Sequence, residues 1–136
     1  MVEGWLGDTY LVLFEGPEVA SASLRYRVNE YLPGYEVVGL RGWDDLIVRN
    51  PAGRTFTLPV VPLDPKYLSP FDAPASSVSL QVDGRFTGKV KWYIKPVAFG
   101  GDPDGENLTW VEHEEHGQLA VWWNKMYRDV QAKRDA

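Results

Sequence analysis

The segment Asn50-Pro51-Ala52-Gly53-Arg54 constrains this chain more than any other. It stands between DLIVR (45–49) and TFTLPVV (55–61), two runs rich in β-branched and aromatic residues. Asn50 and Pro51 suit the first two positions of a type I turn, and Gly53 suits the left-handed residue that follows, so the runs should fold back on each other as an antiparallel hairpin. YEVVGL (35–40) supplies another strand-like run just before, and YLVLF (10–14) a further one. Pro59 and Pro62 make the strand after the hairpin an edge or end it, because proline has no N–H to give a ladder.

A second hairpin is expected where VSLQV (78–82) and FTGKVKWYIKPVAF (86–99) flank Asp83-Gly84, a dipeptide suited to tight turns. Val90, Trp92 and Ile94 alternate with Lys89, Lys91, Tyr93 and Lys95, which predicts a strand with one face on the core and lysines in water. The proline- and serine-rich stretch 63–77 is predicted to cross the surface as a long loop, with one helical turn over 64–68.

Two helices complete the pattern. Pro17 sits at a first helical position with Glu18 in the first turn, and Ala20, Leu24, Val28 and Tyr31 form an apolar stripe before Pro33-Gly34 ends it. The second begins, on the Thr109/Glu112 capping-box pattern, within WVEHEEHGQLAVWWN (110–124). Its acids fall at the positive end of the helix dipole, and Lys125, Arg128, Lys133 and Arg134 fall toward the negative end. Leu119, Trp123, Met126 and Val130, broadened by Trp122, form its expected buried face. Gly117 interrupts the helix, marking either a close approach of backbone or a late start.

The predicted fold is therefore α+β: an antiparallel sheet of about five or six strands, packed on one face by an N-terminal and a C-terminal helix. Its 136 residues suit one domain spanning 1–136. With 44% hydrophobic and 24% charged residues the chain is neither disordered nor membrane-spanning in composition. The acidic start MVEGWLGD does not resemble a secretory signal, and the absence of cysteine suits a reducing compartment, so the expected location is the cytoplasm. A net charge of -5 disfavours nucleic acid as a partner and favours a basic one.

The chemistry-bearing motifs are sparse. His113 and His116 lie three apart on one side of a helix, compatible with ligation, but HEEH is not the H-E-x-x-H of zinc hydrolases, and a third ligand would have to be a carboxylate from elsewhere. Ordinary helix-flank histidines, with His113 exposed, are the expectation. The loop FGGDPDGEN (99–107) fails as a calcium loop: counting from Asp102, Gly105 falls at position 4 and His113 at position 12. Asp44 and Asp45 as strand neighbours would face opposite ways, so a turn explains them better than acid/base work. No P-loop, dinucleotide fingerprint, nucleophile elbow or serine triad is present. What stands out is charge: no Lys or Arg lies between Phe99 and Lys125, while Asp102, Asp104, Glu106, Glu112, Glu114 and Glu115 do. Such a run is either a solvated face or a surface that steers a basic partner.

YEVVGLRGWDDLIVRNPAGRTFTLPVVPL (35–63) resembles the middle of SUKH-superfamily proteins, and IKPVAFGGDPDGENLTWVEHEEHGQLAVWWN (94–124) looks like the carboxy-terminal segments of small bacterial proteins encoded with polymorphic toxins. The early LP-x-x-Y/F-x-x-F-L run ending in Asn-Gly-Gly is missing; YLPGYEVVG continues as strand. The resemblance implies a non-catalytic immunity protein that needs no cofactor or metal and blocks a cognate toxin. Many such toxins are nucleases with basic grooves, which the six acids named above would meet. Two further readings stay open: a metal-assisted hydrolase using His113 and His116, and a structural or adaptor subunit of phage or secretion machinery whose exposed aromatics fill a partner's groove. The oligomeric state is left open by the sequence.

Overall fold

The computed structural model describes residues 1–75 and 78–135. Six antiparallel strands form one sheet in chain order: β1 (Val2–Leu6), β2 (Thr9–Leu13), β3 (Glu36–Arg41), β4 (Asp45–Arg49), β5 (Thr55–Pro59) and β6 (Ser69–Pro70). A second sheet pairs β7 (Val90–Tyr93) with β8 (Leu108–Val111). Helix α1 (Pro17–Tyr26) lies between β2 and β3, and α2 (His113–Asp135) follows β8. The α+β class, the antiparallel sheet and the two helices are as expected. No helix among the described residues is long and apolar enough to cross a membrane.

The β4–β5 hairpin forms as its turn residues dictate. Asn50 N–H donates to Arg54 O at 2.8 Å, Gly53 N–H donates to Asn50 O at 2.9 Å, and Gly53 takes φ 87°. Pro59 is the last residue of β5. Asp64 caps the single 3-10 turn Pro65–Tyr67 by accepting from Lys66 N–H. The rest of the expected loop closes the sheet edge through β6, and residues 76 and 77 of it lie outside the described residues.

One face of the sheet carries Tyr10, Val12, Val37, Leu40, Leu46, Val48 and Leu58, all essentially inaccessible, beneath α1, α2 and β7. Each such aliphatic side chain contributes about 1.5–3 kcal/mol relative to exposure. Leu11, Leu13, Val38 and Ile47 face the other way and are covered by Phe71, Ala73, Val78 and Leu80.

Several sequence expectations are corrected. β1 is a strand beyond those expected: Gly7-Asp8 between Leu6 and Thr9 is its two-residue hairpin signal, with Gly7 at φ 62°. The Asp83-Gly84 hairpin does not form. Asp83 instead binds its neighbours, its carboxylate accepting from Arg85 N–H and from Trp5 Nε1–H, while Gln81 bridges to Trp5 of β1. β7 finds its partner in β8, with Val90 opposite Val111, and Ile94 is left exposed beyond the strand.

Both helices bury a face other than their apolar stripe. In α1 the buried residues are Ala22 and Tyr26, whereas Leu24 is 79% exposed; Arg27, at φ 52°, ends the helix before a short turn at Val28–Glu30. Thr109 belongs to β8, so α2 starts at His113 without the capping box. Its fully buried residues are His116, Gly117, Ala120 and Asn124; Leu119 and Trp123 pack at the margin, while Trp122 and Met126 face solvent. Gly117 marks a close approach rather than a late start: a Cβ there would lie 2.1 Å from Arg25 Cγ of α1.

Candidate functional site

All six acids predicted as a binding surface are exposed. The β7–β8 connection is anchored by Asn107, whose Oδ1 accepts from Lys95 N–H at 2.9 Å and whose Nδ2 donates to Lys95 O at 2.9 Å and Asp102 O at 2.7 Å. Gly101 is required there, since a Cβ would fall 1.7 Å from Lys95 O. Asp102 and Asp104 therefore ride on a fixed loop. Glu114 lies 3.6 Å from Arg25 Nε, and it is the only one of the six in an ion pair among the described residues. β8 divides the six into two groups, Asp102, Asp104 and Glu106 before it and Glu112, Glu114 and Glu115 after it. Four residues of strand at about 3.3 Å each put them roughly 13 Å apart.

The histidines do not converge on a shared ligand. His116 is 1% exposed, with Nδ1 at 2.7 Å from Tyr26 Oη and its ring edge-on to Trp92 and Tyr26. Burial, with smaller contributions from His113 and Arg25, pushes its pKa down to about 3, so it is neutral at ordinary pH. His113 is half-buried rather than exposed: its ring stands edge-on to Phe14, both ring nitrogens are shielded and unpartnered, and burial lowers its pKa. No group of three or more His, Asp or Glu suited to a metal occurs among the described residues. The hydrolase reading thus lacks its third ligand there.

A cleft that the sequence did not announce lies between the β3–β4 turn and β7. Its volume is about 340 Å³, and its lining includes Trp43, Asp44, Asp45, Lys91, Trp92 and His116, with Pro103 at its edge. Trp43 follows Gly42 in the turn, and both take positive φ, 61° and 57°. A bulky residue there costs about 1–2 kcal/mol. Aromatic packing holds it: Trp43 stacks on Tyr10 at 4.5 Å and meets Trp110, Phe86 and Trp5 edge-on. Its Nε1–H is buried without a hydrogen-bond partner.

Beside it, Asp44 Oδ2 accepts from Lys91 Nζ at 3.1 Å and from Tyr93 Oη–H at 3.2 Å. Burial alone would lower the Lys91 pKa; Asp44 and Tyr93 outweigh it and hold the ammonium above its ordinary value. Asp45, at the start of β4, borders the same cleft as Asp44, so the two carboxylates do not part as the alternation of a strand would have them. It lies opposite Arg41 in β3, on the same side of β4 as Ile47, and its pKa is raised by burial and partly restored by Arg41. The cleft thus holds the Asp44–Lys91 pair and a second carboxylate, Asp45, among apolar walls.

Only part of this was readable beforehand. The alternation that sends Trp92 to the core puts Lys91 and Tyr93 together, but Asp44, their common acceptor, is 47 and 49 residues away. No family model, curated protein or solved structure matches the chain.

Proposed function

We propose that this chain is a non-catalytic, cytoplasmic protein-binding domain of the immunity type, which binds and neutralises a basic cognate toxin through its acidic surface. The observation that carries the proposal is the state of the predicted carboxylates. All six are exposed, and of them only Glu114 has an internal cation among the described residues. Unpaired surface carboxylates over a stretch lacking Lys and Arg set up a field that accelerates encounter with a cationic protein and discriminates against acidic ones. Their separation into two groups suits a macromolecular partner spanning both, rather than a small ligand held between them.

The test is co-purification and calorimetry with the protein encoded beside this chain, using Asp102→Lys/Asp104→Lys and Glu112→Lys/Glu115→Lys double variants. Each should weaken association at least tenfold, wild-type affinity should fall with salt, and the loop variant, which lies outside the helix dipole, should melt within a few degrees of wild type. Undiminished binding in both variants, or affinity independent of salt, would overturn the proposal.

One observation favours a second reading, the adaptor subunit. Leu24, 79% exposed, and Trp122, 55% exposed, border a shared depression between α1 and α2. If that patch is an assembly surface, sedimentation should show self-association that Leu24→Ser/Trp122→Ser abolishes.

A further inference from the structure

We infer that the cleft between the β3–β4 turn and β7 is the anchor pocket for the partner: it takes one apolar side chain from a segment whose neighbouring residues are lysine or arginine. The inference rests on the proposal that the chain binds a basic protein, and it adds which chemistry enters and where.

Size and walls define the anchor. A volume of about 340 Å³ falls at the lower end for ligand sites, enough for one large side chain with its adjoining backbone. Val60, Val97, Trp92 and Pro96 make its walls apolar. Interfaces concentrate their binding energy in such pockets, filled by a single well-packed side chain and ringed by polar contacts.

Charge decides what flanks the anchor. Inside, Asp44 already has Lys91 at 3.1 Å and Asp45 borders the same space, so an entering anion would meet two carboxylates and an entering cation an ammonium; a neutral group meets neither penalty. At the mouth the balance differs. Pro103 lines the cleft, and the residues on either side of it, Asp102 and Asp104, are exposed acids on the loop fixed by Asn107. Lys95 brings one cation, its Nζ near Gly100, and Glu106 adds a further acid. The rim therefore favours basic residues on either side of the anchor.

Two polar side chains, each more than nine-tenths buried, line the cleft. His116 closes it from α2, and the Trp43 indole closes it from the β3–β4 turn. A tryptophan held at φ 61° in a turn is a local compromise of the kind that clusters at binding sites.

The probes are three capped tripeptides, acetyl-Lys-Leu-Lys-amide, acetyl-Glu-Leu-Glu-amide and acetyl-Lys-Ser-Lys-amide, titrated into the full chain while the assigned indole N–H resonances are followed. The first should shift Trp43 and Trp92 saturably, and the other two should bind at least tenfold more weakly. Val97→Trp, at the exposed lip, should plug the cleft and abolish the shifts without altering the melt. Trp43 unmoved by the first peptide, an equal response to the acidic one, shifts confined to the exposed Trp122, or full binding by Val97→Trp would each overturn the inference. Glu112→Lys/Glu115→Lys changes no residue that lines the cleft, and its effect is read on the toxin. Peptide binding without any effect of that variant on the toxin would remove the proposed function and leave the pocket standing.

Discussion

Replacing Gly117 by alanine isolates the contact on which the helix pair depends. In an unconstrained helix the change stabilises by about 1 kcal/mol, since alanine loses less backbone entropy. Here the new Cβ would stand 2.1 Å from Arg25 Cγ, 2.7 Å from Cδ and 3.1 Å from Arg25 O, whereas carbon atoms rest at about 3.5–4.0 Å. Arg25 cannot simply swing away. Its side chain is 19% exposed, its Nε faces Glu114, its guanidinium lies 5.9 Å from the Phe14 ring centroid, and the near atoms are inner carbons and backbone. Overpacking of this kind costs about 1–3 kcal/mol, and a clash with so little room lies at the upper end. Subtracting the propensity gain leaves a net loss of about 2 kcal/mol. For a chain of this length that lowers the melting temperature by roughly 6–10 °C. Urea unfolding of wild type, Gly117→Ala, Arg25→Ala and the double variant checks both size and cause. The double variant should recover most of the loss as a coupling energy, because alanine at 25 vacates the clashing atoms. A Gly117→Ala protein more stable than wild type, or losses that simply add, would refute the close-approach account.

Acid should destabilise the fold through His116. Unfolded histidine protonates near pH 6.5, whereas the buried ring holds neutral to about 3; between those values the unfolded state binds the extra proton, so each pH unit of acidification removes up to about 1.4 kcal/mol. His116→Phe should flatten urea midpoints between pH 6.5 and 4 relative to wild type, and parallel profiles would contradict the assignment. Asn124 joins α2 to the exit of β5, its Oδ1 accepting from Leu63 N–H at 2.8 Å and its Nδ2 donating to Val60 O at 2.9 Å. Asn124→Ala orphans both groups and should cost about 2–4 kcal/mol, with accelerated hydrogen exchange at the Leu63 amide.

The elements legible in the sequence are those whose causes are local. The 50–54 turn, the Pro17 helix start, the Asp64 cap and the charge gradient along α2 each depend on residues within one turn of one another. The buried faces do not. Hydrophobic phasing assumes that buried means apolar, but α1 turns inward Tyr26, whose hydroxyl meets His116 90 residues away, and Ser23, whose Oγ accepts from Val37 N–H at 2.8 Å. α2 likewise buries Asn124 instead of Trp122 because Val60 and Leu63 offer it a donor and an acceptor. A buried polar group with its partners in place outcompetes an apolar neighbour for the inward position, and those partners cannot be seen from the helix alone.

The same reasoning separates the two halves of the candidate site. The acidic run is legible because a gap in Lys and Arg is a property of contiguous sequence, yet its division by β8 is not, since Thr109 and Glu112 carry the pattern of a helix start. The cleft was invisible because it is assembled from the β3–β4 turn, the exit of β5, β7, the loop at Pro103 and α2. What joins the halves is Pro103, which faces the cleft while Asp102 and Asp104 face solvent on either side. In the proposed reading, a partner drawn by the field of the acids arrives at a mouth backed by apolar walls. Long-range attraction and short-range fit are then properties of a single loop, and the anchor of Asn107 that fixes this loop governs both.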